Sequence, residues 1–323
     1  MRGKYRIIIQ NKRIRYDFEV RRNITVIQGD SATGKTVLVE MVREFDEIGN
    51  DSGIELKCEK KCTILSGRTW EAQLSAMKDS IVFIDEGNSF VTSRKFAECI
   101  QNTDNYYVIV SREGLPTLPY SVDEIYGIRN SGKYGSLKKT YNEFYRLYGE
   151  QEYITAIFPK QVITEDSNSG FQFFYHVCKE AGKDCISAHG KSNLFSVALR
   201  CKEQEALIIA DGAAFGSEMG KIMKLLKLNH NLHLYLPESF EWLILKSGLL
   251  EDSDLSEILD EPYHYIESEE FFSWERYFTK LLIDKTADNY MKYTKHNLNP
   301  VYLQPGIMKK ILCVMEKIKF QTK

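Results

Sequence analysis

Residues 24–36 read ITVIQGDSATGKT, and the last eight of them decide how the chain is to be read. Gly29, Asp30, Ser31, Ala32, Thr33, Gly34, Lys35 and Thr36 meet the phosphate-loop pattern G-x4-G-K-[ST] at every position. The two glycines let the backbone curl until successive N–H groups face one anion. Lys35 adds a point charge where β- and γ-phosphates would lie, and Thr36 a hydroxyl for magnesium. At ordinary residue frequencies the bare pattern arises by accident in about one chain in a hundred of this length. Its flanks narrow that further. Residues 24–28 read as a buried strand entering the loop, and residues 37–45 (VLVEMVREF) as the helix leaving it. The expected cofactors are ATP and Mg²⁺.

A second landmark lies at residues 80–86, SIVFIDE. Its four consecutive apolar residues mark a strand buried on both faces, as in a parallel sheet, and acids at its carboxyl end stand where such sheets place ligands. Asp85 is expected to hold magnesium, and Glu86 to orient or deprotonate an attacking water. Residues 106–110 (YYVIV) form another buried strand, closing with Ser111 and Arg112 as candidate γ-phosphate sensors; Arg94 and Arg129 are the other candidate arginine fingers. Upstream, residues 5–10 and 15–20 predict an antiparallel hairpin. That prologue resembles the start of ATP-binding-cassette and recombination-type ATPases. Leu65, Ser66, Gly67 and Arg68, however, fit a strand-to-helix turn better than a cassette signature.

With 323 residues, 43% hydrophobic and 27% charged, the chain is long enough for two domains with their own cores. The net charge of −2 provides no global basic field for nucleic acid. A local cluster of Lys133, Lys138, Lys139 and Arg146 reads as a solvated face. Seven cysteines without framework spacing argue for a reducing compartment. Cys58 and Cys62 are a close pair with no second Cys or His pair to complete a zinc site. No stretch of about 18 apolar residues is present, so no membrane partner is expected and the protein is read as cytoplasmic.

Composition shifts across residues 131–148, which suit a hairpin or helix connecting two domains. Beyond them a new alternation begins, with strands at 161–164, 185–188, 206–210 and 232–236, and helices at 171–180, 193–200, 217–226 and 238–246. The fold class is therefore α/β in both halves. Residues 271–282 and 307–318 read as amphipathic helices of a C-terminal flank. The expected division is residues 1–150, residues 155–250 and a helical region over residues 251–323.

Acids recur at the strand ends of the second half. Glu165, Asp166, Ser167 and Gly170 follow the first strand, Asp211 and Gly212 follow ALIIA, and Pro237, Glu238, Ser239, Phe240 and Glu241 open the last helix. This pattern resembles the topoisomerase/primase (Toprim) fold. A P-loop ATPase followed by such a domain is similar to the overcoming-lysogenization-defect (OLD) family and related phage-defence proteins. The resemblance implies a metal-dependent nuclease in which Glu165 performs acid/base chemistry and Asp211 holds Mg²⁺ or Mn²⁺. The family's second aspartate is Ala213 here, which leaves Glu165, Asp211 and Glu238 or Glu241 as ligands. Each acid also has a plainer use: Glu238 and Glu241 favour a helix's first turn, and Asp166 or Ser167 caps a helix. His189, beside Gly190 and Lys191, is the one histidine positioned to approach a phosphate. The expected activity is ATP hydrolysis coupled to a nuclease, with DNA or RNA, a protein partner and a homo-oligomer as expected associations. The alternative is an ATP-gated sensor whose second half binds without cutting.

Overall fold

The computed structural model describes residues 1–29, 34–131, 139–149, 156–201 and 205–320. Asp30, Ser31, Ala32 and Thr33 of the loop, with Lys133 and Lys138 of the basic cluster, lie outside the described residues. The chain forms two compact units, Met1–Gly149 with Glu261–Ser273, and Glu150–Asp260 with Trp274–Lys323.

The first unit is built on nine strands: β1 (Tyr5–Gln10), β2 (Ile14–Val20), β3 (Ile24–Ile27), β4 (Glu55–Lys57), β5 (Lys61–Ile64), β6 (Ser80–Ile84), β7 (Tyr106–Val110), β8 (Ile125–Asn130) and β9 (Thr140–Arg146). They are ordered β4-β1-β2-β9-β8-β3-β7-β6-β5. The run β8-β3-β7-β6-β5 is wholly parallel. All residues of β3, β6 and β7 are buried, as strands covered on both faces must be. The expected hairpin is present, with β1 antiparallel to β2 and buried residues alternating along it. Helix α1 (Lys35–Ile48) lays Leu38, Val39, Met41 and Val42 on the sheet. Helices α2 (Trp70–Ala76) and α3 (Arg94–Ile100) follow; Ser93 caps α3, its Oγ accepting from the Phe96 amide at 3.1 Å.

The second unit carries four parallel strands, β10 (Gln161–Thr164), β11 (Asp184–Ser187), β12 (Ala206–Ile209) and β13 (Leu232–Tyr235), ordered β11-β10-β12-β13. Around them lie α4 (Ser169–Glu180), α5 (Lys191–Ala198), α6 (Gly216–Leu228), α7 (Phe240–Lys246), α8 (Leu255–Asp260), α9 (Trp274–Thr286) and α10 (Pro305–Cys313). Phe173 and Phe174 of α4 pack on Phe240 of α7, with ring centroids 5.3 and 6.0 Å apart. Both units are α/β, as expected, and no helix among the described residues is long and apolar enough to cross a membrane.

Four expectations need correction. Within residues 131–148 the described chain is not a helix between domains: β9 pairs antiparallel with β8, as in a hairpin, and parallel with β2, so it belongs to the main sheet of the first unit. Helix α7 begins at Phe240 because Ser239, fully buried, caps it by accepting from the Trp242 amide at 3.2 Å, so Glu238 precedes the helix and Glu241 alone of the two stands in its first turn. Neither Asp166 nor Ser167 caps α4, whose cap position is Asn168. The helix expected from residue 271 starts at Trp274, because residues through Ser273 pack into the first unit, where Phe272 is buried.

Candidate functional site

In the first unit, the register fixes where the sequence landmarks meet. Ile27 pairs with Val110, and Ile109 with Ile84, so the carboxyl ends of β3, β7 and β6 lie side by side. Adjacent strands are about 4.8 Å apart, which places Gln28 and Gly29, Ser111 and Arg112, and Asp85 and Glu86 along one sheet edge. This is the edge at which parallel sheets take ligands.

Gly29 and Gly34 adopt positive φ, 130° and 90°, which L side chains rarely reach. Gly34 has a second constraint: a Cβ there would sit 2.7 Å from the Tyr16 hydroxyl. That hydroxyl donates to the Gly34 carbonyl at 2.8 Å, tying the end of the loop to β2. Burial pushes the Tyr16 phenol up to about 12, against a bond with Asn142 that lowers it, so the hydroxyl is a lasting donor. Lys35 is buried, and its ammonium donates to the Gly29 carbonyl at 2.8 Å, closing the loop on itself. Thr36 is exposed on the first turn of α1.

Asp85 is half-buried; its Oδ1 accepts from the Glu86 amide at 2.8 Å and its carbonyl from Asn88 Nδ2 at 2.9 Å. Glu86 pairs with Arg112, Nε to Oε1 at 2.6 Å. Ser111 Oγ donates to the Glu113 carbonyl at 2.8 Å, and Gln28 Nε2 reaches the same oxygen at 3.3 Å. Of the candidate fingers, Arg112 is thus beside the acids. Arg129 instead pairs with Glu143 at 2.9 Å and lies 4.9 Å over the Tyr145 ring, and Arg94 is exposed at the start of α3. In the basic cluster, Lys139 donates to Gln10 at 2.8 Å and Arg146 pairs with Asp123 at 3.6 Å.

The second unit holds a cavity of about 30 Å³, room for one or two water-sized groups. Glu165, Asp166, Asp211, Glu241, Tyr293 and Lys295 are among its lining residues. Adjacent parallel strands bring Glu165, which follows β10, to Asp211, which follows β12: Glu165 Oε2 accepts from the Asp211 amide at 3.2 Å. Burial pushes the Glu165 carboxyl up to about 7; the Asp211 amide partly opposes this, while Glu275 adds to it. Asp211 is raised well above the carboxylate range by burial first and by the charges of Glu275, Glu165 and Glu241 next. Glu241, buried at 2% exposure, accepts from the Tyr293 hydroxyl at 2.9 Å.

Two cations answer these acids. Lys295 meets Glu275 at 2.5 Å; burial works against its charge, but Glu241 and Glu275 outweigh that and hold it above the usual lysine value. Lys191 donates to the Ala214 carbonyl at 3.0 Å, and burial holds it below the lysine value despite Glu165. Glu238 is absent from the cavity lining, and Ala213, buried, leaves no carboxylate at the missing aspartate's position. His189, with positive φ of 55°, is exposed beyond β11.

The positive φ of Gly29 and Gly34, the hydroxyl bond at Gly34 and the buried Lys35 are features that a phosphate group could use. The acid cavity is a poorer match to the metal expected there. Its donors are hard oxygens suited to Mg²⁺, yet among the described residues no three His, Cys, Asp or Glu side chains are grouped to hold an ion. Sequence reading missed Tyr16, Glu275, Lys191 and Lys295 as site residues. Only Lys191 carried a signal, through its place at a strand end beside Gly190. Comparison with protein-family models and with curated proteins finds no match for this chain.

Proposed function

We propose that the chain is an ATP-binding and ATP-hydrolysing P-loop protein whose second unit is a Toprim-like domain, of the kind found in OLD-type defence against phage and mobile elements. The observation that carries this reading is the alignment of the Gly29–Lys35 closure with Asp85, Glu86, Ser111 and Arg112 at neighbouring strand ends. The bound nucleotide with its Mg²⁺ supplies the anhydride to be broken and the ion that neutralises developing charge. Lys35 would exchange the Gly29 carbonyl for phosphate oxygens, and Thr36 and Asp85 would hold the metal. Glu86 orients water, and Arg112, already on Glu86, is the cation at hand for the γ-phosphate.

For the second unit a reading without cleavage is favoured over a metal nuclease built on Glu165, Asp211, Glu238 and Glu241. Ala213 removes one acid, and Lys295 neutralises Glu275 beside the others. Such a unit recognises a partner protein, DNA or RNA under the control of ATP.

ATP hydrolysis by purified protein tests the first part. Lys35→Ala is expected to lower nucleotide affinity and turnover by about a hundredfold or more, and Glu86→Gln to keep binding while lowering turnover about as much. Turnover at the wild-type rate by both variants sinks the reading. Incubation with supercoiled plasmid and Mg²⁺ or Mn²⁺, with and without ATP, tests the second part. Cleavage that Glu165→Gln abolishes would reinstate the nuclease.

A further inference from the structure

The acid cavity of the second unit is expected, from the resemblance to Toprim domains, to be a divalent-metal site, and its geometry disagrees. In the wall of the cavity the chain places a lysine of its own. Lys295 lines the same cavity as Glu165, Asp211 and Glu241, and is bonded to Glu275 at 2.5 Å.

Lys295 does not reach this position as a loose surface side chain. It stands in the connection between α9 and α10, and that connection is fastened to the start of α4. The Ser169 amide donates to the Lys295 carbonyl at 3.0 Å, and Ser169 Oγ lies 2.8 Å from the carbonyls of Thr294 and Lys295. Gln172 clasps the next turn, donating to the His296 carbonyl and accepting from the Leu298 amide, both at 2.9 Å. Ser169 itself is 1% exposed. Tyr293, two residues before Lys295, adds its hydroxyl bond to Glu241.

Charge gives the arrangement its reason. Several carboxylates gathered in a space for one or two waters repel one another, and a counter-cation offsets that repulsion for those that stay charged. An ammonium is a compact point charge with three donors and needs no chelating cage. A divalent ion needs six or so oxygens, or two carboxylates and several waters, for which a cavity of about 30 Å³ walled in part by the lysine has little room.

We propose that Lys295 is the resident cation of this pocket, filling by a covalently tethered ammonium the role that the resemblance gives to a divalent metal. The resting pocket therefore takes up no divalent ion, and removing the ammonium opens it to one. The inference concerns the charge balance of the pocket, and it stands or falls independently of nucleotide binding in the first unit.

The test uses the full chain without nucleotide, comparing wild type, Asp211→Asn, Lys295→Met and Lys295→Met with Asp211→Asn. Thermal unfolding of the second unit is followed with and without millimolar Mn²⁺, and bound Mn²⁺ is counted by electron paramagnetic resonance. Binding elsewhere on the chain is common to all four proteins and cancels in the comparison. Wild type is expected to show no Mn²⁺-dependent change in the second unit's transition. Lys295→Met is expected to melt several degrees lower, to recover roughly that loss with Mn²⁺, and to bind one Mn²⁺ more than wild type. Adding Asp211→Asn should remove both the recovery and the extra ion. The proposal is overturned if wild type binds Mn²⁺ in a manner that Asp211→Asn alone abolishes, or if Lys295→Met gains no ion. Failure of Lys295→Met to fold even with Mn²⁺ overturns it too, since a metal in the pocket should stand in for the ammonium.

Discussion

Gly34 carries two separate constraints, and a pair of substitutions separates them. Its φ of 90° disfavours any side chain, and a Cβ would stand 2.7 Å from the Tyr16 hydroxyl. Gly34→Ala is therefore expected to cost about 1–3 kcal/mol of stability in the first unit and to weaken nucleotide binding. Tyr16→Phe loses the bond to the Gly34 carbonyl, worth about 1 kcal/mol, but also removes the atom that the new methyl meets. In the double variant the cost should fall below the sum of the two single ones, as measured by denaturant unfolding. Strict additivity would show that backbone conformation alone imposes glycine. The loop could be proposed from the sequence because its eight residues are contiguous and the chemistry expected of them depends on spacing. Tyr16 could not, since a tyrosine in a strand reads as core until the strand is placed beside the loop.

Glu165 lends the second unit a pH dependence whose sign follows from its environment. Its carboxyl is raised from the ordinary 4.5 to about 7, so across that window the native state keeps a proton that the unfolded chain has lost. The unit should thus lose stability as pH rises from about 4.5 to about 7, by on the order of 1–3 kcal/mol, with Asp211 acting in the same direction. Urea unfolding of the second unit at several pH values checks this, and Glu165→Gln should flatten the profile. A rise in stability across that window would contradict the assignment. The acids at the strand ends were visible in the sequence. The lysine that balances them was not, because Lys295 follows Glu165 by well over a hundred residues and its meeting with the acids depends on how α9, α10 and α4 pack.

At the scale of elements, the buried strands were legible wherever apolar runs were continuous, as in β6, β7 and β12. Elements whose partner sets their state were not. β9 is polar, with no residue of Thr140–Arg146 fully buried, and it becomes a strand because β8 and β2 offer it two edges. Gly127 records that pairing. It lies opposite Tyr145, and a Cβ at 127 would come within 2.5 Å of the Tyr145 ring, which also carries Arg129 on its face. Gly127→Ala should force the ring off the strand and destabilise the first unit by about 1–3 kcal/mol, with faster amide exchange in both β8 and β9. Exchange accelerated in β8 alone would mean that the ring does not couple the two strands. Glu238 is the element-scale lesson at the candidate site: proline and acid suggested a helix start, but the buried Ser239 competes successfully for the cap and moves the start beyond Glu238.

For the whole molecule, the chain returns. After building most of the second unit it sends Glu261–Ser273 back into the first, then resumes the second at Trp274. Composition gives no sign of this, because the segment is short and several of its bonds to the first unit use backbone groups. Asn23, just ahead of β3, donates through Nδ2 to the carbonyls of Ser268 at 3.0 Å and Phe271 at 3.1 Å, and is 6% exposed. The Gly3 amide reaches the Tyr263 carbonyl at 2.7 Å, and the Ser268 amide the Met1 carbonyl at 2.9 Å. Residues separated by more than two hundred positions thus complete the support of the phosphate-loop strand. Asn23→Ala removes both bonds, the one to Ser268 buried, at a cost of about 1–3 kcal/mol. Amide exchange should then quicken across residues 261–273 and in β3 together, while β10 and β12 keep their protection. If residues 261–273 exchange faster and β3 does not, the returning segment is only a covering; if both respond, the strand that feeds the loop depends on chain made long after it, and the first unit cannot be completed by residues 1–149 alone.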